Sequence, residues 1–228
     1  MNLRQIYSVL ILATIFLGGC ATVPVPQLAR PESSGLGIVL KLRTPIGIFS
    51  ATPNVIYFVK IDNEDGLLQQ AIILSNYAKD DRFYFLNIRP GTYAAVAAFF
   101  ARAAVPAGPP PPGISVSVGV GRTGYTTYFS KELVELAKVT VRENDFVFMG
   151  SYVVDQSVGL DGADRVQVHY KNVIAPGATS SGFLHLLSGD YHYRGTLIEH
   201  KNDEQTRSEF FGNAREDLAE GGWAARFK

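Results

Sequence analysis

From Gly35 to about residue 170 the chain runs in short stretches rich in Val, Ile, Phe, Tyr and Thr, each closed by Gly, Pro, Asn or Asp. β-branched and aromatic side chains suit a pleated, half-buried surface, and the punctuating residues supply the backbone angles of turns, so the pattern commits the chain to strands. The expected strands cover 36–42, 54–61, 70–76, 82–88, 92–100, 113–120, 124–130, 138–142, 145–154 and 164–170. Alternation is strictest where Ile114, Val116, Val118 and Val120 interleave with Ser115, Ser117, Gly119 and Gly121, which predicts one buried face and one small, wetted face. "NVIYFVKI" (54–61) is apolar on both faces as far as Lys60, which predicts a strand covered on each side. The expected fold class is mainly β: an antiparallel two-layer β-sandwich with a C-terminal capping α-helix.

Helix signals are few. Ser130 is placed to cap one or two turns over 130–137. A longer helix is expected over 206–220, where Thr206 and Glu209 have capping-box spacing, Phe211, Ala214 and Leu218 share a face, and Gly221-Gly222 ends it. That face, with Phe210 and Trp223, should seal the sandwich; the competing use is a helix lying on a membrane surface or a partner. Hydrophobic residues at 46% against 18% charged, with 14 Phe and 11 Tyr, agree with a strand-rich domain. Lys plus Arg number 21 and Asp plus Glu 21, so there is no basic footprint, and no nucleic-acid partner is expected.

The N-terminus reads as an address. Arg4 precedes an apolar run from Ile6 to Leu17, too short to cross a bilayer, which needs about 20 apolar residues. The run ends in Leu17-Gly18-Gly19-Cys20, which resembles the lipobox of bacterial lipoproteins: a Leu three before a Cys, with small residues between. The resemblance implies cleavage between Gly19 and Cys20, a diacylglyceryl group on the Cys20 thiol, and acylation of the freed amine. No cofactor is expected besides this covalent lipid. Ala21, where Asp would favour inner-membrane retention, implies the bacterial outer membrane and its periplasmic face. Cleavage removes Arg4 alone, leaving 20 basic against 21 acidic side chains, and with Cys20 the only cysteine no intramolecular disulfide can form. The expected organisation is signal peptide 1–19, lipidated Cys and proline-rich extended tether 20–34, β-sandwich 35–202, and helix and tail 203–228.

"VIYFVKIDNEDG" followed by "FYFLNIRPGTYAAVAAF" resembles the strand, turn and strand pattern of transthyretin-like (prealbumin-like) and carboxypeptidase-regulatory-like β-sandwiches. In those folds a Pro-Gly-x-Tyr corner, here Pro90-Gly91-Thr92-Tyr93, leads into a core strand. Several uncharacterised bacterial lipoproteins are similar, with a capping C-terminal helix that carries a Trp. The resemblance implies a fold and no activity. Pro90 and Gly91 are expected at the second and third positions of a type II turn.

The motifs that suggest chemistry fail on context. "GVGRTG" (119–124) matches a dinucleotide fingerprint as a string, but Tyr125 to Tyr128 continue as strand where a helix must open, so no nucleotide is expected. "DNEDG" (62–66) starts like a calcium loop but has Leu67 and Ile73 where the loop needs Gly and Glu. Asp155, Asp161 and Asp164 could share an ion with loop carbonyls. His169, His185, His192 and His200 lack spacing that would preassemble a metal site. Ser188, Asp190 and His192 in "SGDYHYRG" suggest a hydrolase, but a polar turn flanked by tyrosines is the plainer reading. Pro109, Pro110, Pro111 and Pro112 should hold a stiff polyproline loop, a rigid connector that a partner could also read. The expectation is a lipid-anchored envelope protein that binds or scaffolds other envelope components through loops near 101–113 and 155–163. The alternatives are a hydrolase or metal-dependent enzyme using residues 155–200, and a small-ligand or glycan carrier using the aromatic strands.

Overall fold

The computed structural model describes residues 23–43, 50–61, 68–103, 122–160 and 190–227. Its strands are β1 (Ser34–Arg43), β2 (Ser50–Ala51), β3 (Val55–Ile61), β4 (Leu68–Leu74), β5 (Tyr77–Lys79), β6 (Arg82–Ile88), β7 (Gly91–Ala103), β8 (Arg122–Phe129), β9 (Lys138–Val141), β10 (Phe146–Gly159) and β11 (Tyr191–Lys201). Two helices, α1 (Lys131–Leu136) and α2 (Glu204–Asp217), and two 3-10 turns, Ala219–Gly221 and Trp223–Arg226, complete the described chain.

The protein is mainly β, as expected, but its described strands form one continuous sheet in the order β4-β3-β7-β8-β11-β10-β1-β6-β5, with β2 on β1 and β9 on β7. The sheet is mixed: β1 runs parallel to β10 and β8 parallel to β11, whereas a purely antiparallel arrangement was expected. Chain connectivity forces the sheet to curl. β4 and β5 are its two edges, yet only Ser75 and Asn76 separate them. Nine strands laid flat would put the edges about 38 Å apart, and two residues with their flanking bonds reach about 10 Å. Ser75 bonds β3 on one side, through its amide to the Ile56 carbonyl and its Oγ from the Ile56 amide. Asn76 clasps β6 on the other, donating from Nδ2 to the Leu86 carbonyl at 2.9 Å and accepting the Leu86 amide at Oδ1 at 2.9 Å. The curl brings Phe58 of β3 onto Phe85 of β6, rings stacked at 5.7 Å, although five strands lie between them in the sheet.

Period-two patterning fills both sides of the β6-β1-β10 region. Leu36, Ile38, Leu40 and Leu42 point into the curl with Phe83, Met149, Tyr152 and Val154. Gly35 and Gly37 alternate with them and leave the outer face low enough for rings. A Cβ at Gly37 would overlap the Phe210 ring, and one at Gly35 would lie 2.9 Å from Phe146. α2 settles into that seat, burying Phe210, Ala214 and Leu218 against Tyr84, Leu86, Phe146 and Phe148, with Phe148 stacked on Phe210 at 4.2 Å. The helix begins earlier than its expected start. Asp203 is the N-cap, accepting the Thr206 amide at 2.8 Å and its hydroxyl at 2.9 Å, so Thr206 sits at the third helical position and forms no capping box with Glu209. These two bonds lower the Asp203 pKa. Phe210 rather than Phe211 centres the buried face, which follows i, i+4, i+7, i+8 spacing through Asp217. α1 starts as expected, with Ser130 Oγ accepting the Leu133 amide at 3.3 Å.

Asp217 joins α2 to the β5-β6 edge. It is 4% exposed, and its carboxylate accepts from Arg82 Nε at 2.6 Å, Arg82 Nη2 at 3.2 Å and the Tyr84 hydroxyl at 2.6 Å, with Lys79 Nζ at 3.2 Å. Burial pushes its pKa up, but the bonds from Arg82 and Tyr84 and the Arg82 charge outweigh it and hold the pKa below the usual carboxylate value. Burial, then the bond to Asp217, pushes the Tyr84 hydroxyl well up.

The corner between β6 and β7 carries the expected tyrosine: Tyr93 is buried, and its hydroxyl donates to the Arg89 carbonyl at 2.7 Å. The backbone there is not a type II turn. Gly91 has φ +151° rather than about +80°, and already belongs to β7. A Cβ at this position would overlap the Lys60 side chain.

The described part of the proline-rich segment has no regular structure, as its prolines dictate, but from Val25 it is a strap bound to the domain. Val25 is buried in the α2 cluster, Trp223 Nε1 donates to the Pro26 carbonyl at 2.8 Å, and the Leu28 amide donates to the Gly221 carbonyl at 2.9 Å. Asn87 reads the strap from β6, donating to the Gln27 carbonyl and accepting the Ala29 amide, each at 2.8 Å. Arg226 closes it by donating to the Pro31 carbonyl and to Asn144 Oδ1.

Candidate binding surface

The described surface feature with the strongest chemical character is a row of rings across β7, β8 and β11. Phe100 lies opposite Tyr125 in the β7-β8 register, and Tyr125 opposite Tyr191 in the β8-β11 register. Adjacent strands lie about 4.8 Å apart, so rings at paired positions must meet face to face or splay. Here they meet: Phe100 and Tyr125 at 4.7 Å and 8°, Tyr125 and Tyr191 at 5.3 Å and 17°, Tyr125 and Tyr193 at 6.4 Å and 20°. Arg102 lies over the Phe100 ring at 5.6 Å. The row is graded, from Phe100 at 5% exposed to Tyr191 at 53%, so a buried base supports one half-exposed ring at its end. Burial first, then the neighbouring Tyr125 and Tyr191, raises the Tyr193 pKa, keeping its hydroxyl neutral.

β11 was not expected from the sequence. "SGDYHYRG" reads as a polar turn, but from Tyr191 it is strand. The available signal was the period-two sequence Tyr191, Tyr193, Gly195, Leu197 against His192, Arg194, Thr196. Asp190 opens the parallel pairing: its Oδ2 accepts the Gly124 amide at 2.8 Å, and its own amide donates to the Gly124 carbonyl at 2.9 Å. His192 shares a 3.1 Å hydrogen bond between its Nδ1 and the Tyr128 hydroxyl. Burial lowers its pKa against the opposing pull of Asp190, so the ring is neutral near pH 7. Asp190 and His192 thus each bond to β8 and hold neighbouring strands together. Behind them Gln156 Nε2 donates to Thr127 Oγ1 at 2.6 Å, a buried polar link from β10 to β8.

The other sequence-derived positions divide as follows. Gly124 is within β8, which continues through Tyr125 and Tyr128 as strand. Asp155 was expected in a loop, but β10 continues through it to Gly159, pairing Asp155 with Arg43 and Thr196. His200 is in β11, stacked on Tyr152 at 4.7 Å. Gly19, Cys20, the 62–66 turn, Pro109, Pro110, Pro111, Pro112, Gly119, Gly121, Asp161, Asp164, His169, His185 and Ser188 lie outside the described residues. No group of three or more His, Cys, Asp or Glu that could hold a metal occurs among the described residues. A cavity of about 270 Å³ between the strap and the β6-β7 corner is lined by Arg30, Glu32, Asn87, Arg89 and Glu143 among others. A smaller one of about 150 Å³ lies beside α2. Neither includes Asp190 or His192.

Fold and surface together define a mainly β protein with one curled, open, mixed sheet and an aromatic row on three adjacent strands. No family model, no curated protein and no solved structure matches the chain.

Proposed function

We propose that this chain is a lipid-anchored cell-envelope protein, held at the periplasmic face of a bacterial outer membrane through Cys20, whose β-domain is a non-enzymatic binding or scaffolding module. The anchor rests on the Leu17-Gly18-Gly19-Cys20 motif after its apolar run. The binding role rests on the aromatic row, whose half-exposed Tyr191 stands on an ordered stack; rigid aromatic platforms contribute contact area at little entropic cost. A transthyretin-like, two-layer description of the domain is supported by the facing of β3 and β6 through Phe58 and Phe85 and by the Tyr93 corner, with α2 covering the outer face. A photo-crosslinking residue at Tyr191 in intact envelopes should capture one discrete partner, and the same residue at Glu216 on α2 should not. Equal, diffuse capture from both positions would sink the assignment of this surface.

Half-exposed Tyr191 at the end of the stack also favours a second reading, a carrier that stacks a sugar ring on it. Titration with envelope-derived oligosaccharides distinguishes it, since Tyr191→Ser should then abolish saccharide binding and leave the fold unchanged. A hydrolase or metal-dependent enzyme in the 155–200 region draws no support from Asp190 and His192, both committed to strand-to-strand bonds.

A further inference from the structure

The strap changes what the lipid anchor can do. If residues 20–34 were a free tether, their fourteen steps would let the domain stand about 50 Å from the bilayer. The chain is instead fixed from Val25 onward, by burial of that side chain and by the bonds of Pro26, Gln27, Leu28, Ala29 and Pro31 to β6 and the C-terminal turns. Five steps separate Cys20 from Val25, a reach of about 18 Å when fully extended. We propose that the end of the domain bearing the strap, the Asn144 turn and the Trp223 turn rests against the lipid headgroup layer, and that this layer is its partner. This orientation rests on the lipid-anchor reading above.

Charge does not produce the contact. Around that end, among the described residues, Arg30, Arg89, Arg142 and Arg226 are offset by Glu32, Glu143, Asp145 and Glu220, which leaves no net basic patch there to attract anionic lipid. The leash alone holds the surface down, and the proximity is therefore insensitive to salt. β1 starts beside the strap at Ser34 and ends at Arg43, a span of about 30 Å, so the Arg43 end stands away from the membrane.

The test uses the full lipidated chain in phosphatidylcholine vesicles carrying a headgroup-linked acceptor dye. Glu32→Cys and Arg43→Cys variants each receive a donor dye; acylated Cys20 has no thiol to compete. Both residues are exposed in the native chain. Transfer from position 32 should exceed that from position 43 at least about threefold, unchanged between low and high salt. A Gly/Ser insert of about twelve residues after Thr22 adds a spread of about 20 Å and should reduce the difference to near unity without touching the fold. Equal transfer from the two sites with the native leash, the reverse order, or no response to the insert would each overturn the orientation while the anchor stands. Absence of acyl mass on Cys20 would overturn the anchor reading and the orientation with it.

Discussion

Replacing Asp217 by Ala removes the acceptor that α2 presents to the β5-β6 edge, and its cost can be worked from the neighbours left behind. The Tyr84 hydroxyl, on a fully buried residue, loses the acceptor it meets at 2.6 Å, a desolvation cost of about 1–3 kcal/mol. Arg82 loses a two-point contact but keeps Asp80 at 3.0 Å, which places the ionic part at the low end of the 3–5 kcal/mol typical of a broken buried pair. Because the two contributions overlap, the expected total is about 3 kcal/mol, or about 6–12 °C in Tm for a domain of this size. Trp223 is the only tryptophan and lies in the same cluster, so its emission in a urea titration reports the loss directly. Asp217→Asn should cost roughly half as much, since the amide still accepts from Tyr84 but carries no charge. The pH dependence follows from the depressed carboxylate pKa. Its contribution is full above the unfolded value near 4 and is lost as pH falls through the lower folded value, so the gap between the parent and Asp217→Asn must shrink between pH 6 and pH 3. A gap constant with pH, or an Ala variant within about 0.5 kcal/mol of the parent, would refute the reasoning.

Three further outcomes are expected. Gly37→Val should lower the urea midpoint by about 1–3 kcal/mol equivalent, because its side chain must displace the Phe210 ring; a neutral effect would mean α2 is not seated on β1. Asn76→Ala removes both bonds of the clasp on Leu86 and should cost about 2 kcal/mol and speed amide exchange at β5, with unchanged protection there counting against closure through this residue. His192, with its pKa lowered by burial, makes the fold lose stability as pH drops below about 6.5, where the unfolded chain takes a proton that the folded ring resists; His192→Gln should remove that slope between pH 7 and pH 5, measured by urea midpoints.

The strands legible in the sequence were those whose alternation is apolar. "RFYFLNI" was placed at its observed bounds, because Phe83 faces the interior while Tyr84 and Leu86 face α2. "YHYRGTLIEHK" was not, since its two faces both carry polar atoms and only the periodicity of its tyrosines marks it as strand. With β11 missing, the aromatic row was invisible too, as Tyr125 and Tyr191 are 66 positions apart and meet only through parallel pairing. The mixed character of the sheet could not be read locally either. Single-strand patterning says which residues point inward and nothing about which neighbour is parallel, whereas the two-residue link between β4 and β5 determines the curl once the order is known. The prolines of residues 24–31 correctly excluded helix and ladder, but attachment of the strap depends on Trp223 and Asn87, far along the chain, so its docking carried no local signal.

The proposed anchor at Cys20 underlies both the proposed envelope role and the proposed orientation of the domain, and the intact mass of the protein extracted from membranes tests it most directly. The expected species begins at Cys20, carries the added mass of acyl chains, and has no thiol that reacts with maleimide. A chain still beginning at Met1, or one with an unmodified, reactive Cys20, would contradict the account.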